Sequence, residues 1–145
     1  MGRYALVGLA IVLASFLFWW VIQPEQASDP EMVSGESPGA PMVEVVVPET
    51  FSANAKIGQR AFDTKCADCH GANAAGQEGV APPLVHKIYE PSHHGDQSFL
   101  LAAKNGVRAH HWKFGNMPAV EGLTDADIKM IVAYVRELQR ANGIN

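Results

Sequence analysis

Cys66-Ala67-Asp68-Cys69-His70 sets two thiols one turn of chain apart and places an imidazole directly after the second. These two cysteines are the only ones in a chain of 145 residues. A small exported fold that depends on disulfides carries several cysteine pairs, so one pair at this spacing does not build such a framework. The motif therefore indicates that the thiols serve another chemical purpose.

The order C-x-x-C-H is the attachment signature of a c-type haem. Each thiol can add across one vinyl group of the porphyrin, and the adjacent imidazole then falls over the iron. A zinc site is disfavoured because no further cysteine supplies a second ligand pair. A thioredoxin-like redox pair would need a βαβ setting, whereas the residues before Cys66 show a helical pattern. We therefore predict one covalent haem c, held by Cys66 and Cys69 and ligated by His70.

The surrounding residues resemble a known family. Residues 54–142 are similar to a class I c-type cytochrome domain: Gly58 and Phe62 match its G-x-x-x-F pattern, and residues 81–84 (Ala-Pro-Pro-Leu) resemble its G-P-x-L segment, with alanine where glycine is usual. The resemblance implies an all-α protein with a small cytochrome c fold, in which three to four helices surround one covalently bound haem.

The same resemblance assigns roles to individual residues. It implies that the Pro82 carbonyl oxygen accepts a hydrogen bond from His70 Nδ1, which fixes the ring and tunes the iron. Leu84 would pack on the haem face. The family also has a methionine ligand in a late loop, and Met117 fits that place. The resemblance therefore implies that His70 and Met117 are the iron ligands, and Met/His ligation raises the reduction potential.

Five further histidines, all within 26 positions, complicate this assignment: His86, His93, His94, His110 and His111. One of them in place of the methionine would give a bis-histidine iron of lower potential. The cluster could instead bind copper or zinc, because imidazole suits both metals. In an extended chain, however, the two members of each doublet point in opposite directions. We therefore predict surface and haem-pocket residues without a metal of their own.

Two neighbours of the second doublet are candidate haem contacts. Arg108 and Trp112 both lie close before the methionine loop. A guanidinium or an indole N–H in this place would donate to the haem propionates and screen their charge.

The chain before residue 51 divides into two unlike parts. Residues 4–22 carry no charge, and as a helix they span about 28 Å, close to the hydrocarbon thickness of a bilayer. Arg3 precedes this run and only acids follow it, so residues 1–22 are predicted to be a single-pass anchor with a cytoplasmic N-terminus. A signal peptide is the alternative, although cleavage after Ala27 would use a poor site. Either interpretation exports the domain, to the periplasmic side of a bacterial inner membrane.

Residues 23–50 contain six acidic residues, no basic one and several prolines, which predicts an extended linker. Within it, residues 42–47 are strand-like and are expected to pack on their own domain. Residues 51–145 are the predicted haem domain, and ten basic against nine acidic residues leave it nearly neutral. No basic patch indicates nucleic acid as a partner.

Three helices are predicted from apolar spacing, over residues 54–65, 96–104 and 124–139. Ser52 or Asn54 is expected to cap the first helix, and Thr124 with Asp127 to form a capping box at the last. By the resemblance, Tyr134 packs on the first helix where the two terminal helices cross.

Two axial ligands leave no open position on the iron. We therefore predict an electron carrier and not an enzyme, with no small-molecule substrate. Its expected partners are the membrane and redox proteins, such as a terminal oxidase or a quinol-oxidising complex, in a respiratory or other periplasmic chain. The alternative is a haem-based sensor or a copper-handling module that uses the cluster from His86 to His111.

Overall fold

The computed structural model describes residues 39–145; the predicted anchor and most of the predicted linker lie outside them. This part of the chain is helical and contains no strand beyond two isolated bridges. Its helices are α1 (Ala53–Lys65), α2 (Ala67–His70), α3 (Asp96–Asn105) and α4 (Asp125–Ala141), and two 3-10 turns span Ala72–Ala74 and Lys87–Tyr89. None of the helices in residues 39–145 has the length and apolar character needed to cross a membrane.

The three helices predicted from apolar spacing are all present, each within two residues of its expected bounds. Ser52 caps α1, and its hydroxyl accepts the Ala55 N–H at 3.2 Å. At α4 the predicted capping box is confirmed: the Thr124 hydroxyl accepts the Asp127 N–H at 3.2 Å, and the Asp127 carboxylate accepts the Thr124 N–H at 2.9 Å. These caps satisfy N–H groups that the first turn of a helix leaves without partners.

Helices α1 and α4 cross in direct backbone contact. A Cβ added to Gly58 would lie 1.8 Å from the carbonyl oxygen of Met130, so only a glycine permits this approach. Beside the contact, the fully buried rings of Phe62 and Tyr134 pack with their centroids 5.5 Å apart. The contact expected between Tyr134 and the first helix is therefore present, and it forms the centre of the core.

Residues 39–47, which we call the strap, lie along the helical domain. The N–H groups of Met42 and Val43 both donate to the Ala75 carbonyl, at 3.1 and 3.2 Å. The Asn142 side chain accepts the Val46 N–H at 2.9 Å and donates to the Val46 carbonyl at 2.8 Å. The segment thus packs on its own domain as expected, but it does so through single hydrogen bonds and not as a strand.

Gly58→Ala is expected to lower the free energy of unfolding by about 3 kcal/mol, because the added methyl group forces α1 away from the Met130 carbonyl. Guanidinium unfolding followed by circular dichroism measures the change. Gly95→Ala is the matched control, since the nearest atom to its new Cβ is 3.7 Å away, and its cost should stay under about 1 kcal/mol. Equal losses in the two variants would contradict a tight crossing.

Candidate haem site

The C-x-x-C-H motif forms the corner between α1 and α2. Cys66 ends α1, with its N–H donating to the Phe62 carbonyl at 2.8 Å. Its own carbonyl accepts the N–H groups of Cys69 and His70, at 3.1 and 2.8 Å. This single turn brings both thiols and the imidazole to the wall of one cavity.

The two cysteines differ in their surroundings. They form no disulfide; Cys69 is exposed and Cys66 is partly buried. Burial, and next the neighbouring Cys69, raises the pKa of the Cys66 thiol to about 11. At neutral pH Cys66 is therefore a protonated thiol facing the cavity.

His70 is held in one orientation by the loop that follows the motif. Its side chain is only 8% exposed, and its Nδ1 lies 2.9 Å from the carbonyl oxygen of Pro82, the partner expected from the resemblance. Since a carbonyl oxygen can only accept, Nδ1 carries the proton and Nε2 keeps a free lone pair. Burial lowers the pKa of His70, and the Pro82 carbonyl partly opposes this shift. The ring is therefore neutral at pH 7, which is the form that binds a metal.

Met117 reaches the same cavity from the loop before α4. Its N–H and carbonyl pair with the carbonyl and N–H of Val107, both at 2.9 Å. Gly106 makes the pairing possible: its φ is +74°, and a Cβ there would lie 2.5 Å from the Met117 carbonyl oxygen. The methionine loop is thus fastened to the end of α3.

One cavity of about 560 Å³ brings together every site residue predicted from the sequence: Cys66, Cys69, His70, Pro82, Leu84 and Met117. Its walls are mainly apolar, and its volume falls within the ~300–1,000 Å³ typical of cofactor sites. The structure therefore assembles these residues at one place, and their individual roles toward a haem stay predictions.

A buried donor without a partner tests whether this cavity fits a haem. Among the described residues, Trp112 Nε1 is the buried side-chain polar atom that makes no hydrogen bond. Burial raises the pKa of Tyr89, and the nearby Trp112 indole partly opposes this rise. The indole and the tyrosine nevertheless do not have the geometry of a hydrogen bond. A buried donor costs stability unless a ligand supplies an acceptor, and a haem propionate is such an acceptor.

The donor set as a whole also fits a haem. Two thiols, an imidazole with a free Nε2 and a thioether share an apolar cavity, which is the combination that covalent attachment and His/Met ligation require. Arg108, the other candidate for a propionate contact, is exposed and does not line the cavity.

Arg136 holds the loop that covers one side of the cavity, and sequence reasoning missed it. The side chain is 6% exposed and donates to the Asp96 carboxylate at 2.8 Å, to the Tyr89 carbonyl at 2.7 Å and to the His94 carbonyl. It also lies over the Phe99 ring, 4.8 Å from the centroid. A charged residue between buried Val135 and buried Leu138 on α4 was the available signal.

Two glutamines complete this support. Gln139 is fully buried and donates to the carbonyls of Leu84 and Tyr89, at 2.8 and 3.1 Å. Gln77 donates to the carbonyls of Ala67 and Asp68, at 3.1 and 2.8 Å, and so braces the turn that carries the motif. No sequence pattern pointed to these contacts, because each depends on residues distant in the chain.

Three of the additional histidines, His94, His110 and His111, line the same cavity, in agreement with the prediction of haem-pocket residues. His86 lies apart from them, with its ring edge-on to Trp112 at 5.2 Å. Its Nδ1 accepts the Ile88 N–H at 3.2 Å and so begins the second 3-10 turn.

Comparison with known proteins identifies the family. The family model for cytochrome c matches residues 55–139, which is more than half of the chain. The chain belongs to the cytochrome c family. Membership of this family implies that the chain carries covalently bound c-type haem.

The cytochrome is similar to CcoP subunits of cbb3-type cytochrome c oxidases. It is 38% identical over 95 residues to that of Azospirillum brasilense, covering 61% of this chain and 30% of the relative. For Rubrivivax gelatinosus the identity is 32% over 119 residues, covering 77% and 36%, and for Helicobacter pylori it is 34% over 79 residues, covering 54% and 25%. The chain thus spans only about a third of the length of these relatives.

Trp112→Phe is expected to lower the reduction potential of the haem, because a propionate that loses its indole donor leaves more negative charge beside the iron. A redox titration followed optically measures the shift. The Phe114 ring stacks on the Trp112 ring, with their centroids 5.9 Å apart. Phe114→Leu is therefore the control, because it alters this stack without removing a hydrogen-bond donor. A potential lowered only in Phe114→Leu would contradict the assignment.

Proposed function

We propose that this cytochrome is a monohaem class I electron carrier that is not itself an enzyme. The observation that supports the proposal is the convergence of two thiols, an imidazole and a thioether on one apolar cavity. When bound, the haem supplies an iron couple that takes up and releases one electron at a time.

Four side chains hold the cofactor. Cys66 and Cys69 anchor it through thioether links, which prevents its loss outside the cell. His70 binds through Nε2, because its Nδ1 is committed to the Pro82 oxygen at 2.9 Å. Met117 would supply the second iron ligand, and its soft sulfur would favour reduced iron and raise the potential. With His70 and Met117 both bound, the iron would have no position for a substrate, which fits a carrier.

The rim of the cavity offers a place for redox partners. Val80 and Leu101 line the cavity and are nevertheless 44% and 48% exposed, and Cys69, which lines the same cavity, is exposed as well. Because the haem domain is nearly neutral, a small apolar contact and not charge steering brings the partner to this rim. Such a contact is weak and brief, as turnover of a carrier requires.

The redox partners belong to a respiratory chain. The relatives are subunits of cbb3-type cytochrome c oxidases, and from this similarity we infer a terminal oxidase as the acceptor. A quinol-oxidising complex is the corresponding donor class. The chain covers only about a third of the length of those relatives, and the inference draws on that matched part alone.

The cytochrome works at a membrane. Residues 1–22 form a single-pass anchor in the bacterial inner membrane, with the N-terminus in the cytoplasm and the haem domain, residues 51–145, in the periplasm. The apolar run at 4–22 and the single Arg3 before it support this orientation. A tether of this kind raises the concentration of the carrier beside membrane complexes.

Met117→Ala is expected to lower the reduction potential by at least about 60 mV, which is a tenfold change for a one-electron couple. The loss of the thioether also abolishes the near-infrared band of iron–methionine ligation. Met130→Leu, in the middle of α4, is the control and should change neither quantity. Absorption spectra and a redox titration of the two variants and the parent provide the measurement.

Carbon monoxide separates the carrier from a haem-based sensor. The reduced parent protein should bind none at equilibrium, since both axial positions are filled, whereas reduced Met117→Ala should bind it readily. Tight binding of carbon monoxide by the parent would overturn the carrier proposal in favour of a ligand-binding module.

Membrane fractionation tests the anchor independently of the haem chemistry. The full chain should sediment with membranes, resist a high-salt wash and be released by detergent. A version with residues 1–22 replaced by a cleavable signal peptide should appear in the soluble periplasmic fraction with its haem attached. Release of the full chain by osmotic shock would contradict the anchor.

A further inference from the structure

The histidine doublets converge on one point of the surface. One ring nitrogen from each of His93, His94 and His111 lies within 4.8 Å of the other two. The ring centroids are 4.6 Å apart for His93 and His94, 5.3 Å for His93 and His111, and 5.2 Å for His94 and His111. Among the residues that the structure describes, this is the group with the geometry of a metal site.

The backbone conformation explains why the side chains of His93 and His94 do not point in opposite directions, as they would in an extended chain. The N–H groups of His93 and His94 both donate to the carbonyl of Glu90, at 3.0 and 2.8 Å. The two residues therefore lie in a tight turn and not in an extended chain, so both imidazoles project toward the same side. The prediction that these histidines have no metal of their own rested on extended geometry, and the first doublet is not extended.

The protonation pattern of His94 suits a ligand. Its Nδ1 lies 2.6 Å from the Ile88 carbonyl oxygen, which can only accept, so Nδ1 carries the proton and Nε2 has a free lone pair. A metal-bound histidine usually donates its other N–H to a carbonyl or carboxylate, which fixes the ring. The Arg136 guanidinium in turn binds the His94 carbonyl, so this member of the set is anchored on both sides.

The other two ligands have room to adjust. Nitrogen atoms around a tetrahedral ion lie about 3.3 Å apart when each bond is ~2.0 Å, so the set must contract from its present spacing. His93 and His111 are exposed, and rotation of their side chains brings their nitrogens toward the anchored His94. One position of a four-coordinate ion then stays open to water.

The donor chemistry selects the class of ion. Three imidazole nitrogens and no carboxylate make a site for borderline transition metals and not for calcium or magnesium, which require oxygen ligands. With a given set of nitrogen ligands Cu²⁺ binds more tightly than Zn²⁺.

We propose that His93, His94 and His111 form a binding site for one divalent transition-metal ion, with Cu²⁺ preferred, at the rim of the haem cavity. The proposal does not rest on the proposed electron-carrier function. His110 stands beside the site, with its ring centroid 4.3 Å from that of His111, while its Nδ1 pairs with the Arg108 carbonyl at 2.8 Å.

A copper titration of the full-length, haem-loaded protein tests the site. The protein is purified without a polyhistidine tag, kept oxidised, and titrated with Cu²⁺ against a chelating indicator. All six histidines of the chain lie within the described residues, so the position of every histidine that could compete for the metal is known. We expect one tight equivalent per chain, nitrogen splitting in its electron paramagnetic resonance spectrum, and weaker competition by Zn²⁺.

Variants of the two exposed ligands make the test specific without disturbing the anchored turn. His93→Gln and His111→Gln should each raise the Kd for Cu²⁺ at least tenfold, and the double variant should lose the one-equivalent site. His86→Gln is the matched control, because this histidine lies outside the set, and its Kd should stay within about twofold of the parent.

Three results would overturn the proposal. The first is a double variant that binds copper as tightly as the parent. The second is weak uptake of several equivalents without one tight site, which would show adventitious surface binding. The third is a change in the haem absorption spectrum of His93→Gln or His111→Gln before any copper is added, which would make that residue an iron ligand instead.

Discussion

The backbone contact between Gly58 and Met130 sets the distance between α1 and α4, and the haem cavity depends on that distance. Helix α1 ends at Cys66, where the attachment motif begins, and the methionine loop leads directly into α4. The crossing therefore fixes how far apart the two sides of the cavity stand. A larger side chain at the crossing would displace one helix and carry one side of the site with it.

Polar side chains of α4 also hold the neighbouring loops in place through hydrogen bonds. The Tyr134 hydroxyl, next to the crossing, donates to Asn73 at 3.1 Å and so ties α4 to the residues after the motif. Arg136, two positions further, donates to the carbonyl groups of Tyr89 and His94 in the loop before α3. One helix thereby positions two loops, and the same guanidinium supports both the cavity and the turn that carries His93 and His94.

Features that depend on local chemistry were predictable from the sequence. The helices followed from apolar spacing, the capping box from Thr124 and Asp127, and the attachment motif from five consecutive residues. The prediction that Met117 lies at the same site as the motif depended on the family resemblance, because no local sequence pattern links these distant residues. The contacts of Arg136 and Gln139 were not predictable, since their partners are carbonyl groups 40 or more residues away.

The conformation of individual loops was likewise beyond the sequence. The two side chains of a histidine doublet point to opposite sides in an extended segment but can point to the same side in a turn. The sequence around His93 does not show which of these conformations the chain adopts. Residues 42–47 illustrate the same limit: their composition predicted packing on the domain, but the partners, the Ala75 carbonyl and the Asn142 side chain, became apparent only in the fold. Long-range hydrogen bonds of this kind determine where such segments lie.

The strap has a mechanical consequence. Hydrogen bonds hold the strap at three places on the domain. Gly39 binds the Glu78 carbonyl, Met42 and Val43 share the Ala75 carbonyl, and Val46 binds the Asn142 side chain. Tension applied to the chain ahead of residue 39 would meet these hydrogen bonds one after another before it reached the first turn of α1. A pulling force on the leading chain would therefore break the hydrogen bonds of the strap first, and the helices around the porphyrin pocket would keep their positions.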